Sequence, residues 1–170
     1  MIHQFSIEYK GISLVPFTEE YSEKYRVLRN MPDVGKWFAY KGIIEPEQQR
    51  KWYSNYIANP NDVMFAILDF DGNFLGGNSI YDLDGMGGAE YGRLIIDPAY
   101  SGNGYGYKAS YAAALIAKEQ LHLKSLKLEV YENNLMARKI YQKVGFVETG
   151  FMNDKNGNLM RTMELKLFQI

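Results

Sequence analysis

The sequence predicts an α+β fold: a single domain over residues 1–170, with a mixed central β-sheet flanked by about four helices. Three observations lead there. A chain of 170 residues, 46% hydrophobic, suits one folded domain with a substantial core. Two Asx-Gly dipeptides, Asp71-Gly72 and Asn156-Gly157, each lie between strand-like runs and mark antiparallel hairpins. The element order is strands, two helices, a meander, then strand–helix–strand–helix–strand–strand, which gives a sheet of mixed direction.

Two short strand-like pieces, residues 5–9 and 12–17, flank Lys10-Gly11. The first helix starts after Thr18, with Glu19 and Glu20 favourable in its first turn, and runs to about Asn30. Met31-Pro32-Asp33 stops it, and residues 34–44, mixed aromatic and basic, read as a loop. A second helix starts near Glu45-Pro46, where proline is tolerated in the first turn, and ends near Asn59-Pro60. Residues 63–70 and 73–81 are strands, followed by a glycine-rich connection over 82–88.

Residues 89–97 form the central strand. The run Leu94-Ile95-Ile96 suits burial on both faces, and Asp97-Pro98 breaks it. Ser101-Gly102-Asn103-Gly104-Tyr105-Gly106 follows, then an alanine-rich helix over 107–120. A strand over 126–132, a short helix over 135–143 and a terminal hairpin of residues 146–151 and 159–168 complete the chain.

Alternating glycines ahead of a helix let backbone N–H groups converge, and with the helix dipole they make a site for a phosphate. A tight turn without a ligand is the alternative. The P-loop pattern fails, because Lys108 precedes Ala109 rather than Ser or Thr. Gly104, Gly106 and Ala109 satisfy the dinucleotide pattern GxGxxA, but residues 97–102 leave a long gap between the strand and the first glycine.

This turn and the later segment Asn134-Leu135-Met136-Ala137-Arg138-Lys139-Ile140-Tyr141, with Gly145-Phe146 after it, resemble the GCN5-related N-acetyltransferases, the GNAT family. The family's coenzyme A loop usually reads Arg/Gln-x-x-Gly-x-Gly/Ala. Ser101 departs from it, which leaves the backbone amides of Gly102, Asn103, Gly104, Tyr105 and Gly106 with more of the diphosphate to hold. The resemblance implies a GNAT-like fold and an acetyl-CoA-dependent N-acetyltransferase acting on a small primary amine. It also implies roles. Tyr141 protonates the departing thiolate. Glu90 takes the amine proton, with Asp82, Asp84 and Asp97 as rivals. Backbone groups of Leu94, Ile95 and Ile96 hold the pantetheine arm and the thioester oxygen, and Asn134 and Ala137 meet the coenzyme arm. Tyr141 as one more core aromatic and Glu90 as a solvated strand-end residue are the alternatives.

For the acceptor, Arg29-Asn30, Trp37 and the Lys51-Trp52 pair resemble the GNAT enzymes that acetylate nucleotide-linked amino sugars. Aromatics such as Trp37 can stack on a base or sugar, and Arg29 can meet a phosphate. Polyamine and protein N-terminal acetyltransferases, and a non-catalytic acyl-CoA sensor, are the competing readings.

Composition bounds the rest. The formal charge of −1 argues against a general nucleic-acid binder, and the absence of cysteine excludes disulfides and thiolate metal sites. Neither a signal peptide nor a spanning segment is legible, so the expectation is a cytoplasmic monomer or homodimer with no membrane, nucleic-acid or metal partner.

Overall fold

Residues 2–170 are described by a computed structural model, in which eight strands form one sheet in the order β1-β2-β3-β4-β5-β6-β8-β7. β1 (Ile7–Tyr9) and β2 (Ile12–Pro16) are joined through Lys10-Gly11. α1 (Glu19–Arg29) starts at Thr18, whose hydroxyl accepts from the Tyr21 N–H. α3 (Pro46–Ile57) opens on a capping box of Glu45 and Gln48. Between them lies α2 (Pro32–Gly35), a single turn where the sequence reads only a stop and a loop. Pro32 ends one helix and, at the first position of the next, starts another.

β3 (Val63–Leu68) and β4 (Phe74–Tyr81) form the first hairpin, and β7 (Val147–Asn153) and β8 (Leu159–Lys166) form the last. Both close with the same five-residue loop, Asp-x-Asx-Gly-Asn. Asp69 accepts from the Asp71 and Asn73 N–H groups and from Asn73 Nδ2; Asp154 accepts from the Asn156 and Asn158 N–H groups and from Asn158 Nδ2. The glycines, Gly72 at φ 83° and Gly157 at φ 81°, take the left-handed position that each loop requires.

β5 (Gly88–Ile96), α4 (Tyr105–Glu119), β6 (Ser125–Tyr131) and α5 (Leu135–Val144) form the centre. α4 begins two residues earlier than its composition suggests, because Gly104 at φ 75° supplies the N-cap. Its buried face is Ala109, Ala112, Ala113 and Ala117, small enough for the helix to lie close on the sheet. α4 and α5 cover one face, over Leu14, Phe65, Ile80, Tyr91, Leu126 and Leu128. α1 and α3 cover the other face at its first half, where Phe17, Tyr25, Leu28, Tyr56, Met64, Ala66 and Ile95 pack together.

Every neighbouring pair is antiparallel except β5 and β6. That parallel pair is short: Gly88, Ala89 and Glu90 lie opposite Ser125, Leu126 and Lys127, and there the pairing ends. Beyond it the two strands diverge, so the edge of β5 from Tyr91 onward is open toward β6. β5 also carries a bulge. Gly92 pairs with Ser79, but Ile95 pairs with Gly77, so Arg93 and Leu94 together oppose the single residue Asn78. The bulge reverses the side-chain alternation. Ala89 and Tyr91 face α4 before it; Leu94 and Ile96 face α4 after it, and Ile95 turns to the α1 side.

Candidate active site

The split between β5 and β6 gathers most of the residues that the sequence singles out. At its α4 side lies the glycine-rich turn. Gly102 (φ 81°) and Gly104 (φ 75°) both have left-handed backbones, and a Cβ added at either would meet no atom within 4 Å. Their glycine identity is therefore set by backbone conformation, and the space around them is open. Gly106 differs. It is buried in the first turn of α4, and a Cβ there would stand 2.8 Å from Ile140 Cδ1 of α5. So two of the three glycines shape the turn, and the third lets α5 approach. Asn103 braces the turn, its Nδ2 donating to the Tyr100 carbonyl at 2.9 Å and the Ser101 carbonyl at 3.3 Å. Ser101 is exposed, and Tyr105 is half-buried against the core.

Tyr141 is buried on α5, edge-on to Tyr91 at 6.1 Å and to Phe146 at 5.9 Å. Burial pushes its phenol well above the ordinary 10, and the phenols of Tyr91, Tyr81 and Tyr25 push it further. Tyr91 is on β5, Tyr81 on β4 and Tyr25 on α1. The Tyr141 hydroxyl has no hydrogen-bond partner among the described residues. Asn134 caps α5, its Oδ1 accepting from the Ala137 N–H at 3.3 Å. That use fixes the helix that carries Tyr141 and leaves the amide nitrogen as the group able to meet a ligand.

Glu90 is half-buried at the last paired position of β5, with Tyr81 beside it on β4 and Lys127 on β6. Burial raises its pKa above the ordinary 4.5, and the charges of Glu129 and Asp82 raise it further, against a smaller opposing effect of Lys127. Glu129 and Tyr131 follow Lys127 at two-residue spacing, so all three share the face on which Glu90 lies. Tyr131 leads to a cavity of about 280 Å³ lined by Trp37, Glu132, Asn133 and Leu159, among others.

Arg29 and Asn30 are occupied elsewhere. The Arg29 guanidinium is buried, stacks on Phe38 at 4.2 Å and donates to the Tyr40 carbonyl. Asn30 donates to the Ile44 carbonyl at 2.9 Å and accepts from the Ile44 N–H at 2.8 Å. Together they fasten the loop after α2 to the end of α1; neither faces a phosphate site. Their position at the end of a helix, before a long loop, suits this fastening as well as it suits a ligand, and the sequence alone does not separate the two. Trp37 does line a cavity. Trp52 stacks on Tyr56 at 5.3 Å and belongs to the core.

Sequence reasoning missed a group at the bulge. Arg93 is non-glycine yet has φ 55°. Its guanidinium reaches Asp62 Oδ1 at 2.8 Å, Asp62 Oδ2 at 2.9 Å and Ser79 Oγ at 3.1 Å, and lies over the Tyr81 ring at 4.3 Å. Its carbonyl accepts from the Tyr25 hydroxyl at 2.8 Å. The signal was present: Gly92-Arg93 interrupts the alternation of the strand, and an isolated glycine in a strand marks a bulge.

Comparison with known proteins agrees with this geometry. Residues 12–147 match the acetyltransferase (GNAT) domain family. A spermine/spermidine N(1)-acetyltransferase of Bacillus subtilis is 35% identical over 86 residues, which are 50% of this chain and 56% of that protein. The match thus spans little more than half the length of that curated relative. Among solved structures, spermidine N-acetyltransferase from Vibrio cholerae in complex with CoA and spermine superposes with a TM-score of 0.85 at 19% identity, over 93% of this chain and 96% of that one. A GNAT-family acetyltransferase from Bacillus anthracis gives 0.83 at 15% identity, over 96% and 99%. The Vibrio cholerae enzyme is also known in a dodecameric form. The split sheet, the glycine-rich turn ahead of α4, the tyrosine of α5 and a family match running from β2 through α5 make this chain a member of the GNAT acetyltransferase domain family.

Proposed function

We propose that the protein is an acetyl-CoA-dependent N-acetyltransferase whose acceptor is a polyamine. One observation carries the choice of acceptor: the carboxylate group at the split, where Glu90 has Asp82 and Glu129 close enough to act on its titration, with Lys127 offsetting only part of their charge. A cluster of three carboxylates at the open strand edge suits the ammonium groups of a polyamine. The polyamine enzymes among the relatives support the same choice. The amino-sugar reading loses its phosphate contact, because Arg29 and Asn30 are spent on the loop.

The coenzyme supplies an activated acetyl thioester and a thiolate leaving group. The open turn at Gly102 and Gly104, the N-terminus of α4 and the unpaired edge of β5 fit its diphosphate and its extended arm. Glu90 accepts the proton that the amine nitrogen loses as it bonds to the thioester carbon. The elevated pKa of Glu90 brings it nearer to that task than an ordinary carboxylate. As the carbon–sulfur bond breaks, Tyr141 donates a hydrogen bond to the departing sulfur. A buried phenol is a weaker acid than a thiol of ordinary pKa, about 8.5. Tyr141 therefore stabilises the developing thiolate and keeps its own proton at equilibrium, while the free thiolate is protonated by water.

The test is product mass spectrometry with acetyl-CoA and a panel of spermidine, spermine, a nucleotide-linked amino sugar and a peptide N-terminus. Acetylated polyamine at the highest kcat/KM is expected. Transfer only to the sugar or the peptide would overturn the acceptor, and thioester binding without transfer to any amine would return the acyl-CoA sensor.

A further inference from the structure

We propose that Tyr25 and the Asp62–Arg93 ion pair are positioning residues: they hold the Arg93–Leu94 peptide rotated so that the Leu94 N–H is presented to the thioester oxygen. The proposal rests on the acetyl-transfer reading above.

The peptide between Arg93 and Leu94 lies at the bulge of β5, opposite Asn78, beside the open edge of the strand. Its carbonyl is held at 2.8 Å by the hydroxyl of Tyr25, which packs in the cluster under α1. In a trans peptide the N–H points opposite to the C=O. The Leu94 N–H is therefore turned away from α1, toward the side of the sheet that carries α4, α5 and Tyr141.

Nothing intrinsic to Arg93 favours this orientation. A φ of 55° is uncommon for a residue with a side chain and costs free energy that a glycine would not spend. The surroundings over-determine it. Asp62 takes the guanidinium with both oxygens, Ser79 adds a third contact, and the Tyr81 and Trp52 rings lie at 4.3 Å and 5.7 Å. The Asp62 side chain is only 9% exposed, so the pair is fixed rather than flickering on the surface. A bulge needed only to bend the strand would be served by glycine at position 93, which takes a φ of 55° without strain. A charged residue held in a strained conformation by a buried partner marks an orientation that has to be kept.

The experiment uses three variants of the full chain. Tyr25→Phe removes the hydroxyl and keeps the ring. Arg93→Gly relieves the backbone and removes the clamp. Asp62→Asn keeps the shape and removes the charge. For each, steady-state kinetics on the preferred amine is read beside acetyl-CoA affinity by calorimetry and the infrared C=O stretch of bound acetyl-CoA labelled with ¹³C at the carbonyl. Expected for Tyr25→Phe and Arg93→Gly is a fall in kcat of about 10- to 100-fold, with KM and coenzyme affinity within about twofold. The labelled stretch moves up toward its value in water as the hydrogen bond is lost. Asp62→Asn falls between wild type and Arg93→Gly. An unshifted stretch in both Tyr25→Phe and Arg93→Gly, or wild-type kcat in both, overturns the proposal while leaving acetyl transfer intact. If wild-type protein acetylates no amine, the function itself fails, and a stretch in the wild type as high as that of an acetyl thioester in an apolar solvent removes the Leu94 N–H as well. Arg93→Gly reports even if Tyr25→Phe proves unstable, since glycine suits the backbone at that position.

Discussion

At the scale of single residues, burial favours the protonated form of both Glu90 and Tyr141. Glu90 is a carboxyl whose folded pKa lies above its unfolded value. The native state therefore binds more protons than the unfolded chain, and stability falls as pH rises through 4.5 toward the folded pKa. Replacing it with glutamine should raise the melting temperature at pH 7 and change it little at pH 4. The same variant should lose kcat/KM, most severely at low pH where little free amine is present, with acetyl-CoA affinity unchanged. A thermal scan at the two pH values beside the pH–rate profile checks both halves. Tyr141→Phe keeps the ring against Tyr91 and Phe146 and should cost kcat on the order of 10²-fold, the loss expected when one hydrogen-bond donor to a developing anion is removed. KM for acetyl-CoA should hold. That Ala137 and Tyr141 share a face of one short helix capped by Asn134 was legible from their spacing, because α5 is a regular helix and its periodicity fixes what shares a face. The use of Arg29 and Asn30 in tying the loop after α2 was not legible, because polar side chains that tie a loop and polar side chains that bind a ligand look alike until the loop's path is known.

Among the elements, the approach of α4 to α5 depends on one missing methyl. Adding it at Gly106 places a carbon 2.8 Å from Ile140 Cδ1, an overpacked contact that the far end of a side chain can partly relieve. Gly106→Ala should destabilise by about 1–3 kcal/mol. Combining it with Ile140→Val, which deletes that methyl, should restore part of the loss, a coupling measurable by denaturant titration of the four proteins. The hairpin loops give a second test. Asp154 has its pKa pulled down to about 2, first by the Asn158 N–H and also by the Tyr131 and Asn158 side chains. Its contribution to stability is present above the ordinary 3.8 and fades as pH falls toward 2. Asp154→Asn should lower stability at pH 7 and converge with wild type near pH 2. Both hairpins could be read from Asp71-Gly72 and Asn156-Gly157, since the left-handed glycine is a local requirement. The single turn α2 and the bulge at Arg93 could not be placed as readily. One needs the packing of its neighbours to survive, and the other is fixed by Asp62 and Tyr25, which lie 31 and 68 positions away in sequence.

Across the whole molecule, the order of elements was enough to give the fold class, because hairpins and a strand–helix–strand unit leave few ways to build a sheet. It did not reveal how short the β5–β6 pairing is, a property of strand divergence rather than of either strand's residues. The split predicts how the coenzyme alters stability. A ligand that binds only the native state at 100 times its Kd stabilises by about 2.7 kcal/mol. Saturating acetyl-CoA should raise the melting temperature and slow amide exchange in the turn at Gly102–Gly104 and along β5 beyond Glu90. Protection confined to the α1–α3 half would place the ligand elsewhere.

The shortness of that pairing also has a mechanical meaning. Three rungs, at Gly88, Ala89 and Glu90, are all that zip β5 to β6, whereas β6 and β8 are zipped along seven. β1 at the edge is held to β2 by three rungs as well, but within the body of the sheet the seam between β5 and β6 is where a pulling force should open it first. A ligand lying along the open edge of β5 would act as a stitch over the tear. On the proposed function, the gap that would receive the coenzyme is thus also the thinnest seam within the body of the sheet, and a bound coenzyme would reinforce it.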